Sequence, residues 1–173
     1  MTVAYRFINR REHTEMEVRT RLARAGFSAE EIEQAVLELV GFGYVDDVRY
    51  ARLFVHDRRV LDSWGRARIA RSLSRHGVSR PIIAQALGTN SVDDRQAAAC
   101  GGDRDAYGAD AHGNQSDGEG ELERAVALLD RRFPQGPQDR RDRGRAFGML
   151  ARKGYDGETA GDAVRRWSRH TAA

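Results

Sequence analysis

LARAGFS, the sequence of residues 22–28, returns in related form as LSRHGVS at 73–79 and as LARKGYD at 150–156. The shared pattern is leucine, a small residue, arginine, any residue, glycine, an apolar residue, and then serine or aspartate. Glycine at this place is typical of a helix end, because it adopts the left-handed backbone conformation at no steric cost. Serine and aspartate are preferred N-caps. Each copy is therefore predicted to join one helix to the next, with N-caps at Ser28, Ser79 and Asp156.

The repeat extends on both sides of this turn. After the first copy, Ile32, Ala35 and Val36 fall on one helical stripe, and the other copies have apolar residues at the matching positions. Before each copy, an apolar segment ends in paired arginines, namely Arg10-Arg11, Arg58-Arg59 and Arg131-Arg132. The repeating element is therefore a three-helix unit, here called a module. The sequence predicts an all-α fold, a tandem repeat of three such units with about nine helices, in which short neighbouring modules support one another.

The repeat also sets the predicted module boundaries, which are 1–45, 46–88 and 89–173. The third module contains an extra segment at about 101–120, which is acidic, rich in glycine and nearly free of large apolar side chains. Such a composition cannot offset the entropy of ordering, so this insert is predicted to be disordered. It acts either as a passive linker or as an internal polyanion that competes for the basic helices. The preceding Val92-Asp93-Asp94 either starts the interrupted helix or belongs to a coil that includes Ala97–Cys100.

The segment GFGYVDDVRYA, residues 41–51, is interpreted as the joint between the first two modules. Gly41 or Gly43 is predicted to end a helix, and Phe42, Tyr44 and Val45 to pack as apolar plugs. Asp46 is predicted to cap the next helix, with Asp47 in the first turn, where the helix dipole favours an acid. A cation site is the weaker interpretation, because adjacent carboxylates on a helix point to different sides. The residues assigned to the joint are Gly43, Tyr44, Asp46, Asp47 and Arg49.

The sequence lacks the motifs of common enzyme classes. It contains neither a phosphate-binding Gly-x-x-x-x-Gly-Lys-Ser/Thr loop nor a dinucleotide-binding glycine motif after a strand. The five histidines and Cys100 lack metal-ligand spacing. We therefore expect no catalytic residues, no metal and no cofactor. With one cysteine and no apolar signal or membrane segment in the sequence, a cytoplasmic protein is expected.

Charge is segregated along the chain. Residues 51–87 carry eight arginines against two aspartates, and residues 122–173 carry eleven arginines and one lysine against seven acids. A GC-rich genome would explain the preference for arginine over lysine, but not this segregation. Basic surfaces of this kind attract polyanions, with an affinity that depends on salt. The predicted binding face consists of Arg68, Arg71, Arg75, Arg140, Arg143, Arg152 and Lys153. Trp64 and Trp167 are interpreted as packing residues rather than base-stacking platforms.

The joint, the preceding segment RREHTEMEVRTRLARAGFSAEEIE at 10–33, and the tandem plan resemble RecX, the family of bacterial regulators of the RecA recombinase. The resemblance covers residues 4–88 closely and 121–169 more loosely. Its most specific element is GYVDDVRYA at 43–51, in which the family form usually has leucine at Val45 and phenylalanine at Tyr50. The insert departs from the family pattern.

This resemblance implies an elongated, curved, non-enzymatic monomer that binds RecA and the groove of the RecA filament on single-stranded DNA. Binding would lower strand exchange, ATP hydrolysis and co-protease function, and so act on recombination, DNA repair and the SOS response. Two other hypotheses stay open: a stand-alone helical DNA-binding protein, and a protein adaptor without nucleic-acid contacts. The segments 29–39 and 80–87 carry few side chains suited to reading a DNA groove, which disfavours a helix-turn-helix reader.

Overall fold

The computed structural model describes residues 11–88 and 117–170. Within these ranges the regular elements are all α-helices, and the predicted all-α class is confirmed. None of these helices is long and apolar enough to cross a membrane. The eight helices are α1 (Glu15–Arg24), α2 (Ala29–Gly41), α3 (Asp47–Val60), α4 (Arg66–Arg75), α5 (Arg80–Ala86), α6 (Asp117–Arg132), α7 (Arg140–Lys153) and α8 (Gly157–His170).

The chain divides into two compact units, Met1–Leu87 and Gly88–Ala173. Helices α1–α5 belong to the first unit and α6–α8 to the second. The predicted end of the second module at residue 88 therefore lies beside the break between the compact units. The first two predicted modules share one compact unit because side chains of α1 contact the second module directly, as described below.

The first unit contains two hydrophobic clusters. The first cluster is built from α1, α2 and the joint, and its buried residues are Val18, Leu22, Ile32, Val36, Leu39 and Val45. The second cluster is built from α3–α5, and its buried residues are Tyr50, Ala51, Val55, Ile69, Leu73, Val78, Ile83 and Leu87. These residues recur at helical spacing, so each helix buries one stripe and leaves its charged face to solvent.

The repeated turn has the predicted geometry. Gly26, Gly77 and Gly154 have φ values of +88°, +84° and +92°, the left-handed conformation that ends each preceding helix. Ser28 forms a full capping box with Glu31 at the start of α2. Asp156 accepts a hydrogen bond from the Thr159 amide at 2.8 Å. Ser79 occupies the N-cap position of α5, but its side chain makes no capping hydrogen bond.

The second unit is organised around Trp167. This side chain is fully buried, and its ring lies 5.8 Å from that of Phe133, which confirms its predicted packing role. The same cluster contains Leu129, Leu150 and Tyr155. Helix α6 begins at Asp117, inside the predicted insert at 101–120, whose other residues up to 116 lie outside the described residues. The segment Val92-Asp93-Asp94 and the helix predicted to end at Arg10-Arg11 also lie outside them, except for Arg11.

The prediction that three apolar residues plug the joint is wrong for two of them. Val45 is buried, but Phe42 and Tyr44 are 70% and 50% exposed. The amides of Tyr44 and Val45 both donate to the carbonyl of Leu39, so the chain folds back tightly over the end of α2. Only Val45 reaches the first cluster after this turn. The rings of Phe42 and Tyr44 lie on the surface, 6.4 Å apart.

Candidate functional site

The two adjacent aspartates of the joint cap two different helices. Asp46 accepts hydrogen bonds from the amides of Val48 and Arg49 at 2.8 and 3.0 Å, and so caps its own helix, α3. Asp47 accepts a bond from the amide of Glu15 at 3.0 Å, at the start of α1. Burial raises the pKa of Asp47, although this bond acts in the opposite direction. Asp46 thus has its predicted capping role, while Asp47 ties the second module to the first.

Arg49 strengthens this connection from the same helix. Its guanidinium group donates two hydrogen bonds of 3.1 Å to the two carboxylate oxygens of Glu12. It also donates to the carbonyl of Gly43 at 3.2 and 3.1 Å. Gly43 itself has a φ of +70°. Arg49 therefore links the N-terminal side of α1, the turn after α2 and the start of α3.

The end of α4 contacts the start of α1 through buried polar groups. The hydroxyl of Thr14, which is fully buried, donates to the carbonyl of His76 at 2.7 Å and also accepts from the Glu17 amide at 3.2 Å. Glu17 accepts from His13 Nδ1 at 2.8 Å and from His76 Nδ1 at 3.1 Å. Arg11 approaches the same carboxylate at 3.3 Å. One carboxylate thus connects residues of both modules.

The environment of Glu17 has a direct consequence for its ionisation. Burial raises the pKa of Glu17. The hydrogen bond from His13, the charge of Arg11 and the hydrogen bond from His76 together lower it by a larger amount, so the net pKa lies below the ordinary value of 4.5. The folded state therefore favours the carboxylate. Its stabilisation is fully present above the pKa of the unfolded chain and is lost as the pH falls through the lowered folded value.

We expect Glu17→Gln to lower the free energy of unfolding at pH 7 by about 1–3 kcal/mol, because it weakens hydrogen bonds to a charged acceptor. Urea unfolding of both proteins between pH 7 and pH 3 measures this difference. The difference should shrink below about pH 4, where the wild-type carboxylate also becomes protonated. A difference that stays constant over this range would show that the charge of Glu17 contributes nothing.

A groove of about 380 Å³ opens beside these contacts, between α1 and the end of α4. Among the described residues, four arginines line it, and we call it the four-arginine groove. Its described lining residues are Arg11, Met16, Glu17, Thr20, Arg21, Arg24, Arg75 and His76. Only Arg75 was among the predicted binding residues. The sequence does carry a signal for Arg21 and Arg24, since residues three apart on a helix share a face. That Arg75 approaches this face is a tertiary contact, which the sequence pattern does not contain.

Three of the four arginines of α4 lie along one side of the helix, as their spacing predicts; they are Arg68, Arg71 and Arg75. Arg71 and Arg75 are exposed, and the Nε atom of Arg71 donates to the Ala67 carbonyl at 3.2 Å. Arg68 is different, because its guanidinium group lies over the Trp64 ring at 4.1 Å from the centroid. Trp64 also packs against the second cluster, in line with its predicted packing role. Trp64 therefore holds Arg68 in place beside the other two.

The basic residues of α7 are arranged differently. Arg140 and Arg143 lie in the first turns of this helix, and Arg152 and Lys153 in its last turn. With 3.6 residues per turn, Arg143 and Arg152 point about 180° apart around the helix axis. These four side chains cannot all lie on one face. The two ends of α7 therefore present separate basic patches in the second unit.

The described residues offer no alternative site of the metal-binding kind. Across 11–88 and 117–170, no group of three or more histidine, cysteine, aspartate or glutamate side chains is arranged to hold a metal ion. The histidine ring nitrogens near Glu17 instead serve as hydrogen-bond donors to that carboxylate. The candidate functional features of the described residues are the arginine-lined surfaces and the joint.

Comparison with solved structures supports the architecture. The crystal structure of RecX from Lactobacillus salivarius matches 97% of this chain and 94% of its own, with a TM-score of 0.72 and 16% sequence identity. A second crystal structure, of a regulatory protein RecX, matches 95% of this chain and 70% of its own, with a TM-score of 0.65 and 19% identity. At these identities the likeness shows a common fold.

Sequence comparison extends this likeness to the family. The models of the first, second and third three-helix domains of RecX match residues 1–39, 46–87 and 119–164. The regulatory protein RecX of Trichlorobacter lovleyi is 33% identical over 88% of this chain and 84% of its own length. That of Stenotrophomonas maltophilia is 31% identical over 93% of this chain and 80% of its own. With three domain models in tandem and relatives matched over most of their length, the chain belongs to the RecX family of regulatory proteins.

Proposed function

We propose that this protein binds the RecA filament on single-stranded DNA and lowers the recombinase, ATPase and co-protease activities of RecA. The observation that carries this proposal is the match to all three RecX domains, together with similarity to regulatory RecX proteins over most of the chain. In this proposal the protein acts as a cytoplasmic monomer that regulates by binding, without catalysis, a metal or a cofactor.

We assign filament contact to the basic residues of α4 and α7. Arg71 and Arg75 support this assignment because they are exposed side by side on α4. Arginine forks bind both phosphates and carboxylates, so this surface suits a polyanionic partner such as a filament that contains DNA. The proposed face is Arg68, Arg71, Arg75, Arg140, Arg143, Arg152 and Lys153.

The joint has a separate part in this proposal. Asp47 and Arg49 hold the second module against α1, through Glu15 and Glu12 respectively. A fixed arrangement of the first two modules would present their basic residues to the filament without a further ordering cost. We therefore propose the three-module division 1–45, 46–88 and 89–173, in which Gly43, Tyr44, Asp46, Asp47 and Arg49 form the first inter-module joint.

The ATPase activity of preformed RecA filaments tests this proposal. Wild-type protein at amounts stoichiometric with RecA is expected to suppress ATP hydrolysis. The double variant Arg71→Gln/Arg143→Gln should need roughly 5- to 30-fold more protein for half-inhibition, because two surface contacts contribute about 1–2 kcal/mol. Arg52→Gln/Arg80→Gln is the matched control, since it removes two exposed arginines from α3 and α5 that lie outside the proposed face.

Two results would contradict the proposal at different levels. If wild-type protein leaves RecA activity unchanged at stoichiometric amounts, RecA regulation by this chain is wrong. If the control and the test variant lose inhibition equally, the assignment to α4 and α7 is wrong, because general charge attraction would then explain the binding. Circular dichroism melting of each variant establishes that both remain folded.

A further inference from the structure

We propose that the four-arginine groove binds the phosphodiester backbone of single-stranded nucleic acid directly. This inference goes beyond the proposed regulation of RecA, because it concerns a contact that needs no RecA. It also places the contact at a site that the charge pattern of the sequence does not reveal, between α1 of the first module and α4 of the second.

The groove has cations on both of its walls. Arg21 and Arg24 extend from the last turn of α1, and Arg75 extends from the last turn of α4. Met16 and Thr20 lie between them as uncharged lining. Both arginine groups are at helix C-termini, where cations are favoured, so the fold holds these charges without strain. A strand that runs between the walls would meet guanidinium groups on either side.

Glu17 is the one acid among the described residues that line the groove, and it does not neutralise Arg24 or Arg75. Both carboxylate oxygens of Glu17 are engaged, one by His13 at 2.8 Å and the other by His76 at 3.1 Å, and Arg11 is the arginine paired with it. Among the residues that the structure describes, none forms a hydrogen bond or an ion pair with the guanidinium group of Arg24 or Arg75. These two side chains are therefore available to a ligand.

The chemistry of the groove favours a phosphate chain. Arginine binds phosphate with paired hydrogen bonds, and its charge persists at any physiological pH. Single-stranded nucleic acid carries one charge per nucleotide, so it can contact successive arginines whatever its sequence. An acidic peptide would need a run of consecutive acidic side chains to do the same. The volume of about 380 Å³ and the position between two helices suit one strand rather than a duplex.

Binding of a labelled oligothymidylate to the full chain, without RecA, tests the inference by fluorescence anisotropy over a range of salt concentrations. Arg24→Gln/Arg75→Gln is expected to weaken binding by roughly 10-fold or more at low salt. The slope of log Kd against log salt should also fall by about 1.4, since each phosphate contact on a single strand contributes about 0.7. Arg24→Lys/Arg75→Lys should keep most of the slope but lose several-fold in affinity, because lysine retains the charge without the fork.

The control is again Arg52→Gln/Arg80→Gln, which removes the same charge from outside the groove and should leave the slope nearly unchanged. An equal fall in slope for the control would overturn the inference in favour of diffuse attraction. A wild-type slope for Arg24→Gln/Arg75→Gln would also overturn it. Two competitors distinguish the strand from the other ligands that an arginine-lined groove could bind.

Polyglutamate and inorganic tripolyphosphate are those competitors. If the groove arginines are needed for polyglutamate binding but not for the oligonucleotide, the site serves an acidic protein segment and the inference is wrong. If they are needed only for tripolyphosphate, the site takes a small phosphate compound, and the strand is again excluded. Because RecA is absent, failure here leaves the proposed RecA regulation intact, and failure of the ATPase experiment leaves the groove intact.

Discussion

Gly77→Ala is expected to destabilise the first compact unit by about 2–5 kcal/mol. Part of this loss comes from the φ of +84° at Gly77, which costs an L-residue about 1–2 kcal/mol. The larger part comes from Met16, because a Cβ added at Gly77 would lie only 2.3 Å from the Met16 Cβ. This atom is fixed to the backbone of α1, so the clash is relieved only if the helix moves. Overpacking of this kind costs about 1–3 kcal/mol.

Gly26→Ala is a matched control for this substitution. Gly26 ends α1 with nearly the same φ, +88°, but a Cβ there would meet no atom within 4 Å. It should therefore cost only the backbone term of about 1–2 kcal/mol. Urea unfolding of both variants isolates the cost of the close approach between the modules. Equal losses at the two glycines would show that α1 and the end of α4 are not held together in solution.

Movement of α1 away from Gly77 has consequences that extend beyond stability. The start of α1 carries Thr14 and Glu17, and the hydrogen bonds of both residues to His76 depend on the close approach of α1 to Gly77. Arg21 and Arg24 would shift with it relative to Arg75, so Gly77→Ala should also widen the four-arginine groove. A loss of oligonucleotide affinity that accompanies the loss of stability would connect the joint to the groove.

Local sequence chemistry predicted the turns of this fold well, because the interactions that form them lie within a few residues. The glycine that ends each helix and the cap that starts the next are adjacent in sequence, and Ser28 with Glu31 needs no distant partner. Ser79 shows the limit of such reasoning. It occupies the predicted cap position of α5, but its side chain makes no capping hydrogen bond. Pro81 already favours the helical conformation in the first turn of this helix.

Contacts between distant residues were beyond the reach of the sequence pattern. Asp47 looks like an ordinary first-turn acid, yet it bonds to an amide 32 residues away. Glu17 and His76 are 59 residues apart, and the sequence around neither residue indicates that their side chains meet. Phe42 and Tyr44 have the composition of core residues, but the tight turn that follows α2 leaves them exposed. Whether an apolar residue reaches a core depends on the direction of the chain, which composition alone does not encode.

The candidate binding residues show the same difference between local features, which the sequence predicts, and long-range contacts, which it does not. The spacing of Arg68, Arg71 and Arg75 correctly predicts a shared helical face, because that property is local. The stacking of Arg68 on Trp64 is partly local too, since the two residues are four apart. The four-arginine groove is not local, because it forms only where α1 and α4 meet. Charge counts along the chain therefore identified α4 and missed α1, where nearby acids balance the arginines.

Trp167→Ala is expected to destabilise the second compact unit by about 3–5 kcal/mol, enough to unfold a small helical unit in a substantial fraction of molecules. Trp167 is fully buried, and it shares its cluster with Leu129 from α6 and Leu150 from α7. Its removal therefore leaves a cavity at the meeting point of all three helices. Phe147→Ala is the control, since Phe147 lies in the same unit but is 41% exposed, and it should cost less than about 1 kcal/mol.

Hydrogen exchange followed by mass spectrometry measures where the effect of Trp167→Ala is felt. Peptides from α6, α7 and α8 should lose most of their protection, while those from α1–α5 keep theirs, because the buried residues described for the first and second clusters all belong to the first unit. Loss of protection throughout the chain would contradict this expectation and show that the two compact units fold as one. Retained protection in α1–α5 would make the variant useful as well. If it still binds the oligonucleotide through the four-arginine groove but no longer inhibits RecA, direct nucleic-acid contact belongs to the first unit and inhibition requires the second.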